Sequence, residues 1–255
     1  MCRSMSWLKK SVYGLSRKVV NMRRLEGVRV MVTSGPTRGY IDSVRYISNK
    51  STGILGTMIA TELLKYGADV TFIYGVGSSI PDVALLEKDC ARRLTGIEIE
   101  TTDDLLATIQ EKLKDTPFDA IVHAMAVLDY TPEACSNGKI PSNKDKLVVS
   151  FIKTPKVIKL IRKTWPRAFL VSFKLETGLS KNDLIEKAYA SLVENGADLV
   201  VANNQNEITR CTHKAYLINA RKKIESGCET KQDIAENLVN IISSRRVILR
   251  PSGGK

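Results

Sequence analysis

The chain has little of what metal centres and secreted folds are usually built from. Its 255 residues include only two histidines and five cysteines, with no Cys-x-x-Cys pair. Two histidines are too few for a histidine-rich metal centre, and an odd number of widely spaced cysteines argues against a zinc site or a disulfide framework. The thiols are therefore expected to be reduced, which indicates a cytoplasmic protein. No apolar run approaches about 18 residues, so we expect no membrane span.

The positive charge of the chain lies mostly at its two ends. A net charge of +12 is typical of nucleic-acid-binding proteins. However, residues 1–27 hold seven Lys/Arg and one acid, and residues 245–255 hold four Lys/Arg and no acid. The near-neutral body disfavours a nucleic-acid partner. We predict a disordered basic extension over 1–27, a single domain over 28–244 and a basic tail over 245–255. A targeting or membrane-surface segment at the amino terminus is the alternative.

Short β-rich runs alternate with helical patterns through the body of the chain. Strands are predicted over residues 28–33, 70–74, 97–100, 118–126, 148–152, 168–173 and 199–202. Helices are predicted over residues 53–66, 102–114, 155–163, 181–195 and 232–243. Thr102 is the expected N-cap of the second helix. This alternation is typical of an α/β protein with a Rossmann-like, doubly wound, mainly parallel sheet, followed here by a late β-hairpin over residues 215–225.

Glycines follow the first predicted strand without forming a dinucleotide-binding motif. Gly35 follows the strand, and Gly53 and Gly56 open the first long helix, where backbone N–H groups favour a phosphate. About 20 residues separate strand and helix, most of them in a long polar loop predicted over 37–52, whereas a dinucleotide fold needs a tight Gly-x-Gly-x-x-Gly turn. This spacing disfavours an NAD(P)-dependent short-chain reductase, which remains an alternative. Taken alone, the glycines fit a phosphate site and ordinary turns equally well.

Polar residues also follow several predicted strands, where doubly wound sheets bind their ligands. The segment 45–53 combines an arginine, an amide and hydroxyls, which suit either an oxyanion or a solvated helix cap. Asp129 follows the most apolar strand and is placed to bind a nucleotide, or lies in a surface turn. Lys139 belongs to a long lysine-containing loop over 131–146, which can neutralise a triphosphate or remain solvated. Phe173 can pack on a base or form the edge of the core.

As a set, these segments resemble the phosphopantothenate–cysteine ligases, and in particular their free-standing bacterial members. They occur in the family's order and spacing between about residues 28 and 244. The matching segments are TSGPTRGYIDSVRYISNKSTGILG (33–56), HAMAVLDYTP (123–132), GKIPS (138–142), KTPKVI (153–158), SFKLET (172–177) and GADLVVAN (196–203).

The resemblance implies a homodimeric cytoplasmic enzyme that joins 4′-phosphopantothenate to cysteine for coenzyme A synthesis. CTP, or ATP in its place, activates the carboxylate as an acyl-nucleotide with release of pyrophosphate, and the cysteine amine then displaces the nucleotide. Mg²⁺ is the implied metal, although its ligands are unknown. A separate phosphopantothenoylcysteine decarboxylase is the expected partner.

The resemblance also implies roles for individual residues. Asn49 and Lys139 are the implied catalytic residues, Asn49 holding the acyl-nucleotide and Lys139 acting from a flexible loop. Arg45, Asn49 and Ala126 are the implied substrate contacts. The implied nucleotide contacts are Gly35, Gly53, Gly56, His123, Ala124, Met125, Asp129, Lys139, Pro155, Lys156, Val157, Ile158 and Phe173.

The chain departs from the family pattern at three lysine sites. Ile54 stands where the first helix usually begins with a lysine, and Pro141 replaces a second loop lysine. Ser191 and Asn195 occupy positions that carry lysines in many bacterial members. We expect Lys50, Lys153, Lys156 or Lys174 to compensate for the lost charge.

Overall fold

The computed structural model describes residues 24–143 and 145–249, with the backbone alone described for 246–249. Most of the strands lie in one sheet. The strands are β1 (Arg29–Ser34), β2 (Arg38–Tyr40), β3 (Tyr46–Ser48), β4 (Asp69–Gly75), β5 (Leu94–Ile99), β6 (Ala120–His123), β7 (Tyr130–Pro132), β8 (Phe151–Lys153), β9 (Phe169–Glu176), β10 (Leu199–Ile208), β11 (His213–Asn219) and β12 (Ile224–Cys228).

The helices lie between these strands, apart from the last, which ends the described chain. They are α1 (Ile54–Lys65), α2 (Lys88–Ala91), α3 (Thr102–Ala107), α4 (Val157–Thr164), α5 (Lys181–Asn195) and α6 (Lys231–Leu249). A 3₁₀ turn over Val83–Leu85 precedes α2, and α3 continues as a π-helix over Thr108–Leu113. Among the described residues, no helix combines the length and the apolar character needed to cross a membrane.

The central sheet has eight strands in the order β12-β11-β10-β9-β6-β1-β4-β5. In this order, every pair of neighbours from β10 to β5 is parallel, and β11 and β12 add antiparallel strands at the other end of the sheet. After β1 the chain proceeds to β4 and β5 on one side and returns to β6 on the other. The predicted Rossmann-like, doubly wound sheet with its late hairpin is therefore confirmed.

The core forms two layers, one on each face of this sheet. Leu63 of α1 and Leu238 of α6 belong to the same buried cluster as Val32 of β1. Ile109 after α3 belongs to a second cluster together with Met31 and residues of α4 and α5. Met31 and Val32 are neighbours in β1 and face opposite sides, as successive residues of a strand do. Because both faces of the sheet are covered, the central strands β1 and β6 carry buried apolar residues on both sides.

Several predicted strands have different bounds in the structure, among them the two predicted over 118–126 and 148–152. The strand predicted over 118–126 ends at His123, and Ala124 and Ala126 donate backbone hydrogen bonds to Thr33 and Gly35 instead. Of the strand predicted over 148–152, only Phe151 and Ile152 form part of β8, which pairs with β7 in a small sheet of its own and exposes much of its apolar surface. Apolar content alone does not distinguish a buried central strand from an exposed hairpin strand.

Two local predictions are also corrected. The N-cap of α3 is Thr101 rather than Thr102, because the Thr101 hydroxyl accepts from the Asp104 N–H while the Asp104 carboxylate accepts from the Thr101 N–H. The polar segment 37–52, expected to be a loop, contains β2 and β3, which pair as a short hairpin.

The ends of the domain extend beyond the expected limits. Leu25 is fully buried in the core although it lies within the segment 1–27. The disorder predicted for the rest of that segment concerns residues 1–23, which lie outside the described residues. At the other end, α6 continues through residue 249.

Candidate active site

A large cavity lies at the carboxyl ends of β6 and β9. These neighbouring parallel strands place His123, the last residue of β6, opposite Ser172, so the loop after β6 begins beside the second half of β9, which continues to Glu176. The cavity has a volume of about 810 Å³. Ten residues expected at the site line it, namely Asn49, His123, Met125, Ala126, Asp129, Pro155, Lys156, Val157, Ile158 and Phe173.

A second cavity of about 380 Å³ adjoins the first at the start of α1. Gly53, Gly56 and Ala124 line it, and it shares Lys50 and Phe173 with the larger cavity. A side chain at Gly56 would place its Cβ 2.3 Å from the Ser34 hydroxyl oxygen, so the close packing of α1 on the end of β1 requires glycine. The helix start therefore sits directly at the switch point of the sheet, where phosphates bind in related architectures.

Asn49 joins the two loops that form the centre of the site. Its side-chain amide donates to the carbonyl oxygens of Ala126, at 3.2 Å, and Val127, at 3.1 Å. The chain after β3 is thereby tied to the chain after β6, although the two are far apart in sequence. Asn49 thus fixes the position of the Ala126 backbone as well as lining the cavity.

Asp129 lies at the rim of the cavity beside the start of α4. Its carboxylate accepts a hydrogen bond from Lys156 at 2.6 Å, and its backbone carbonyl accepts from the Thr154 N–H at 2.9 Å. Both side chains of the ion pair are largely exposed, at 66% for Asp129 and 47% for Lys156. An exposed pair of this kind adds little stability, so both groups are available to a ligand.

His123 ends β6 at the floor of the site. Its Nδ1 atom lies 2.8 Å from the Thr33 hydroxyl of the neighbouring strand. Burial lowers the pKa of His123 to about 4, so the imidazole is neutral near pH 7. It therefore offers a hydrogen bond but no charge at physiological pH.

A cluster of opposite charges lines the side of the cavity formed by β9 and α5. Glu176 accepts from Lys174 at 3.1 Å and from Lys187 at 3.4 Å. Burial acts to raise the pKa of Glu176, but the two lysines outweigh it, and the pKa lies below its ordinary value. Lys187 was not among the residues expected here. The signal was available, because Lys187 precedes Ser191 by one helical turn and so shares its face of α5.

Three expected site residues lie outside both cavities. Gly35 has φ +77°, and a Cβ there would lie 1.9 Å from the Ser78 hydroxyl oxygen, so this glycine serves a tight approach of two loops. Lys139 is exposed in the loop after β7. Arg45 donates to Asp42 and to the Ile140 carbonyl. Their contacts with a nucleotide or substrate remain predictions.

The site combines an amide, lysines, three carboxylates and an aromatic ring at one edge of the sheet. Such a set suits a ligand with a phosphate chain and a planar base. Among the residues that the structure describes, no group of three or more His, Cys, Asp or Glu is arranged to hold a metal ion. Fold and site together define an α/β protein with a polar cleft at the switch point of a doubly wound sheet.

Comparison with known families agrees with this assignment. Residues 25–245 match the family described as the DNA/pantothenate metabolism flavoprotein C-terminal domain. The match covers most of the chain, and the chain belongs to this family.

The relatives with the same domain include a bifunctional enzyme. The coenzyme A biosynthesis bifunctional protein CoaBC of Thermococcus kodakarensis is 37% identical over 231 residues, or 91% of this chain. The aligned region is 54% of that relative's length, so this chain spans about half of it.

Solved structures share the fold. The DNA/pantothenate metabolism flavoprotein from Streptococcus pneumoniae has a TM-score of 0.76 at 33% identity, covering 86% of this chain and all of that one. A mutant of Cab2 in complex with phosphopantothenate-cysteine has a TM-score of 0.69 at 18% identity, covering 96% of each chain. At that identity the second likeness carries the fold alone.

Proposed function

We propose that this chain is a phosphopantothenate–cysteine ligase of coenzyme A synthesis. The main support is that the cavity at the end of β6 and β9 collects residues from four of the segments that resemble this family. Asn49, Asp129, Lys156 and Phe173 come from widely separated parts of the sequence and line one space. The membership of the family and the likeness to a coenzyme A biosynthesis protein agree with this function.

The first step activates the carboxylate of phosphopantothenate. A carboxylate oxygen attacks the α-phosphorus of the nucleoside triphosphate, a P–O bond breaks, and pyrophosphate leaves with the electron pair. Phe173 would pack on the base, and Asp129 would accept hydrogen bonds from the base or ribose. Lysines offset the charge that accumulates when two anions meet.

The second step forms the amide. The cysteine amine attacks the activated carbonyl carbon, the C–O bond to the nucleotide breaks, and the monophosphate leaves while the amine loses a proton. Asn49 would hold the acyl-nucleotide for this attack, beside the Ala126 backbone that it already binds.

The nucleotide is proposed to be CTP rather than ATP, on the resemblance to bacterial members. Mg²⁺ would accompany the triphosphate, since it keeps several waters and takes one or two carboxylates together with substrate phosphates. Asp129 and Glu176 are carboxylates of suitable chemistry in the cavity.

The test of this function is pyrophosphate release. Protein with Mg²⁺, 4′-phosphopantothenate and cysteine is expected to release pyrophosphate with CTP faster than with ATP. Omission of phosphopantothenate should abolish the release, because the carboxylate is the attacking group. If folded protein releases no phosphopantothenate-dependent pyrophosphate with either triphosphate, the proposal is contradicted.

The product of the proposed reaction, 4′-phosphopantothenoylcysteine, would be the substrate of a phosphopantothenoylcysteine decarboxylase, which is either a separate protein or another domain.

Lys187 is proposed to replace part of the charge lost at Ser191 and Asn195. The variant Lys187→Gln is expected to raise the KM for the nucleotide by roughly 3- to 5-fold with little change in kcat, the scale of a solvent-exposed charge pair. The effect should shrink in high salt, which screens exposed charges. Lys163→Gln, an exposed lysine of α4 outside the cavity, is the matched control. Equal KM values for Lys187→Gln and wild type would remove Lys187 from the nucleotide site. The same comparison applies to Lys174.

The chain is proposed to be a homodimer that pairs through its two small sheets. β2 packs against β7, and these sheets leave Tyr46, Tyr130 and Phe151 about half exposed. Exposed apolar side chains on neighbouring strands favour an interaction site there. We expect a dimer mass by light scattering and a monomer for Phe151→Asp. Leu85→Asp, at a position 83% exposed, is the control and should remain dimeric. A monomeric wild-type chain at micromolar concentration would contradict this assembly.

A further inference from the structure

Asp42 is a fully buried carboxylate in the turn between β2 and β3. Its side chain has no solvent exposure, and it accepts hydrogen bonds from the backbone N–H groups of Val44, at 2.9 Å, and Arg45, at 2.8 Å. The Arg45 guanidinium also donates to it, with Nε at 2.9 Å. The turn is thereby closed on itself by one charged side chain.

The side chains of Asp42 and Arg45 also bind the backbone of Ile140, which lies in a distant part of the sequence. Asp42 accepts a hydrogen bond from the Ile140 N–H at 3.1 Å, and the Nη2 atom of Arg45 donates to the Ile140 carbonyl at 2.9 Å. Both backbone polar groups of Ile140 are therefore bound. The Ser136 N–H donates to the Ile41 carbonyl at 3.1 Å and ties the same loop a second time.

The Asp42 carboxylate in this contact stays ionised over the ordinary pH range. The hydrogen bond from Arg45 is the largest influence on the pKa of Asp42; burial opposes it, and the remaining hydrogen bonds from backbone N–H groups reinforce it, so the pKa lies far below its usual range. Hydrogen bonds to charged groups are stronger than those between neutral groups. A buried carboxylate left without its arginine would also be strongly destabilising. The contact of Asp42 and Arg45 with the Ile140 backbone, called the anchor below, thus holds one point of a loop that is otherwise exposed.

Lys139 is the residue next to this anchor. We propose that Asp42 and Arg45 are positioning residues, which fix the backbone of Ile140 and so set where the Lys139 side chain leaves the loop. Arg45 then acts through Lys139, rather than by touching the substrate as the resemblance implies. Because the Ile140 backbone is fixed while the Lys139 side chain is exposed, the lysine amine can reach the site from a defined backbone position.

Because its kinetic consequence rests on the proposed function, the positioning role is tested first by a measurement that needs no activity. Hydrogen–deuterium exchange of the full chain would be compared for wild type, Arg45→Gln and Arg38→Gln. Arg38 lies in the same small hairpin and pairs with Glu100 instead, so it controls for general loosening. We expect peptides over 136–143 to exchange at least about tenfold faster in Arg45→Gln only. Equal exchange in all three proteins would overturn the anchor.

The second measurement is a double-mutant cycle with Lys139→Gln. Arg45→Gln is expected to lower kcat by about 10- to 100-fold with an unchanged KM for phosphopantothenate, the cost of a misplaced group. In the Lys139→Gln background the same change should alter kcat less than about twofold, since coupled residues are not additive. Arg45→Lys keeps the charge without the two-pronged donor and should fall between.

The outcomes distinguish a failure of the positioning role from a failure of the proposed ligase function. A raised KM for phosphopantothenate, with effects of Arg45→Gln and Lys139→Gln that multiply, would mean that Arg45 binds substrate directly and would overturn the positioning role. A wild-type chain without ligase activity would instead defeat the proposed function. The exchange result would still decide whether Asp42 and Arg45 hold the loop.

Discussion

Replacing Asn49 with alanine is expected to leave pyrophosphate release as a single burst while amide formation falls by about 100-fold or more, the scale for losing one preorganised hydrogen-bond donor. The physical reason is the double contact of the Asn49 amide with the carbonyls of Ala126 and Val127. Without it the two loops lose their tie, and the acyl-nucleotide loses the side chain proposed to hold it. Rapid-quench measurement of both products in one experiment resolves the two steps.

The control for this change is Asn182→Ala, at an exposed position near the start of α5. It should leave both products at wild-type rates. Two results would speak against the assigned role of Asn49. A rate of amide formation within a few-fold of wild type would show that the Asn49 side chain is dispensable. Loss of the pyrophosphate burst itself would place Asn49 in the first step instead.

Most of the fold could be predicted from hydrophobic patterning. The parallel strands buried on both faces appear as short apolar runs, and α5 has the bounds predicted for it, because its cap at Ser180 and the glycine at its end are local signals. The exposed strand β8 shows the limit of such patterning. Its apolar residues resemble those of a core strand, and only the tertiary structure shows that much of their surface is exposed.

The candidate site could be predicted where a residue lies near the carboxyl end of a strand. His123 ends β6, Asp129 follows it, and Phe173 lies in the second half of the neighbouring strand β9, so topology brings them together. Contacts through side chains could not be predicted in this way. Lys187 is an exception, since its spacing from Ser191 places it on the face of α5 that lines the cavity. The contact of Arg45 with the Ile140 carbonyl does not follow from sequence spacing, because it depends on how the loop after β7 packs against the turn that holds Asp42.

These contacts give the site a rigid part and an exposed part. The rigid part is the end of β6 with Asn49 and the neutral His123, each held by hydrogen bonds to neighbouring loops or strands. The exposed part is the loop that carries Lys139, tied down beside it at Ile140. A ligand bound in the cavity would therefore meet preformed groups. Lys139 lies outside the cavity, and we propose that it reaches the ligand from the tied loop and supplies its charge only then.

The variant Lys139→Gln is accordingly expected to lower kcat by about 100- to 1,000-fold while changing the KM for the nucleotide little, as for a group that stabilises mainly the transition state. Glutamine is somewhat shorter than lysine, keeps a polar end and removes the charge. Steady-state rates at saturating substrates, together with nucleotide binding measured by calorimetry, separate these effects.

Lys146→Gln is the matched control, because Lys146 is an exposed lysine of the same loop. It tests whether the loop needs this particular lysine or only its positive charge. If Lys146→Gln lowers kcat as much as Lys139→Gln, the loop acts through its summed charge, and the anchor at Ile140 has no reason to favour one lysine. If only Lys139→Gln is slow, and its nucleotide affinity is intact, the charge works at the reacting phosphate. The fixed backbone of Ile140 then explains why the lysine beside the anchor, rather than a more distant one, carries the effect.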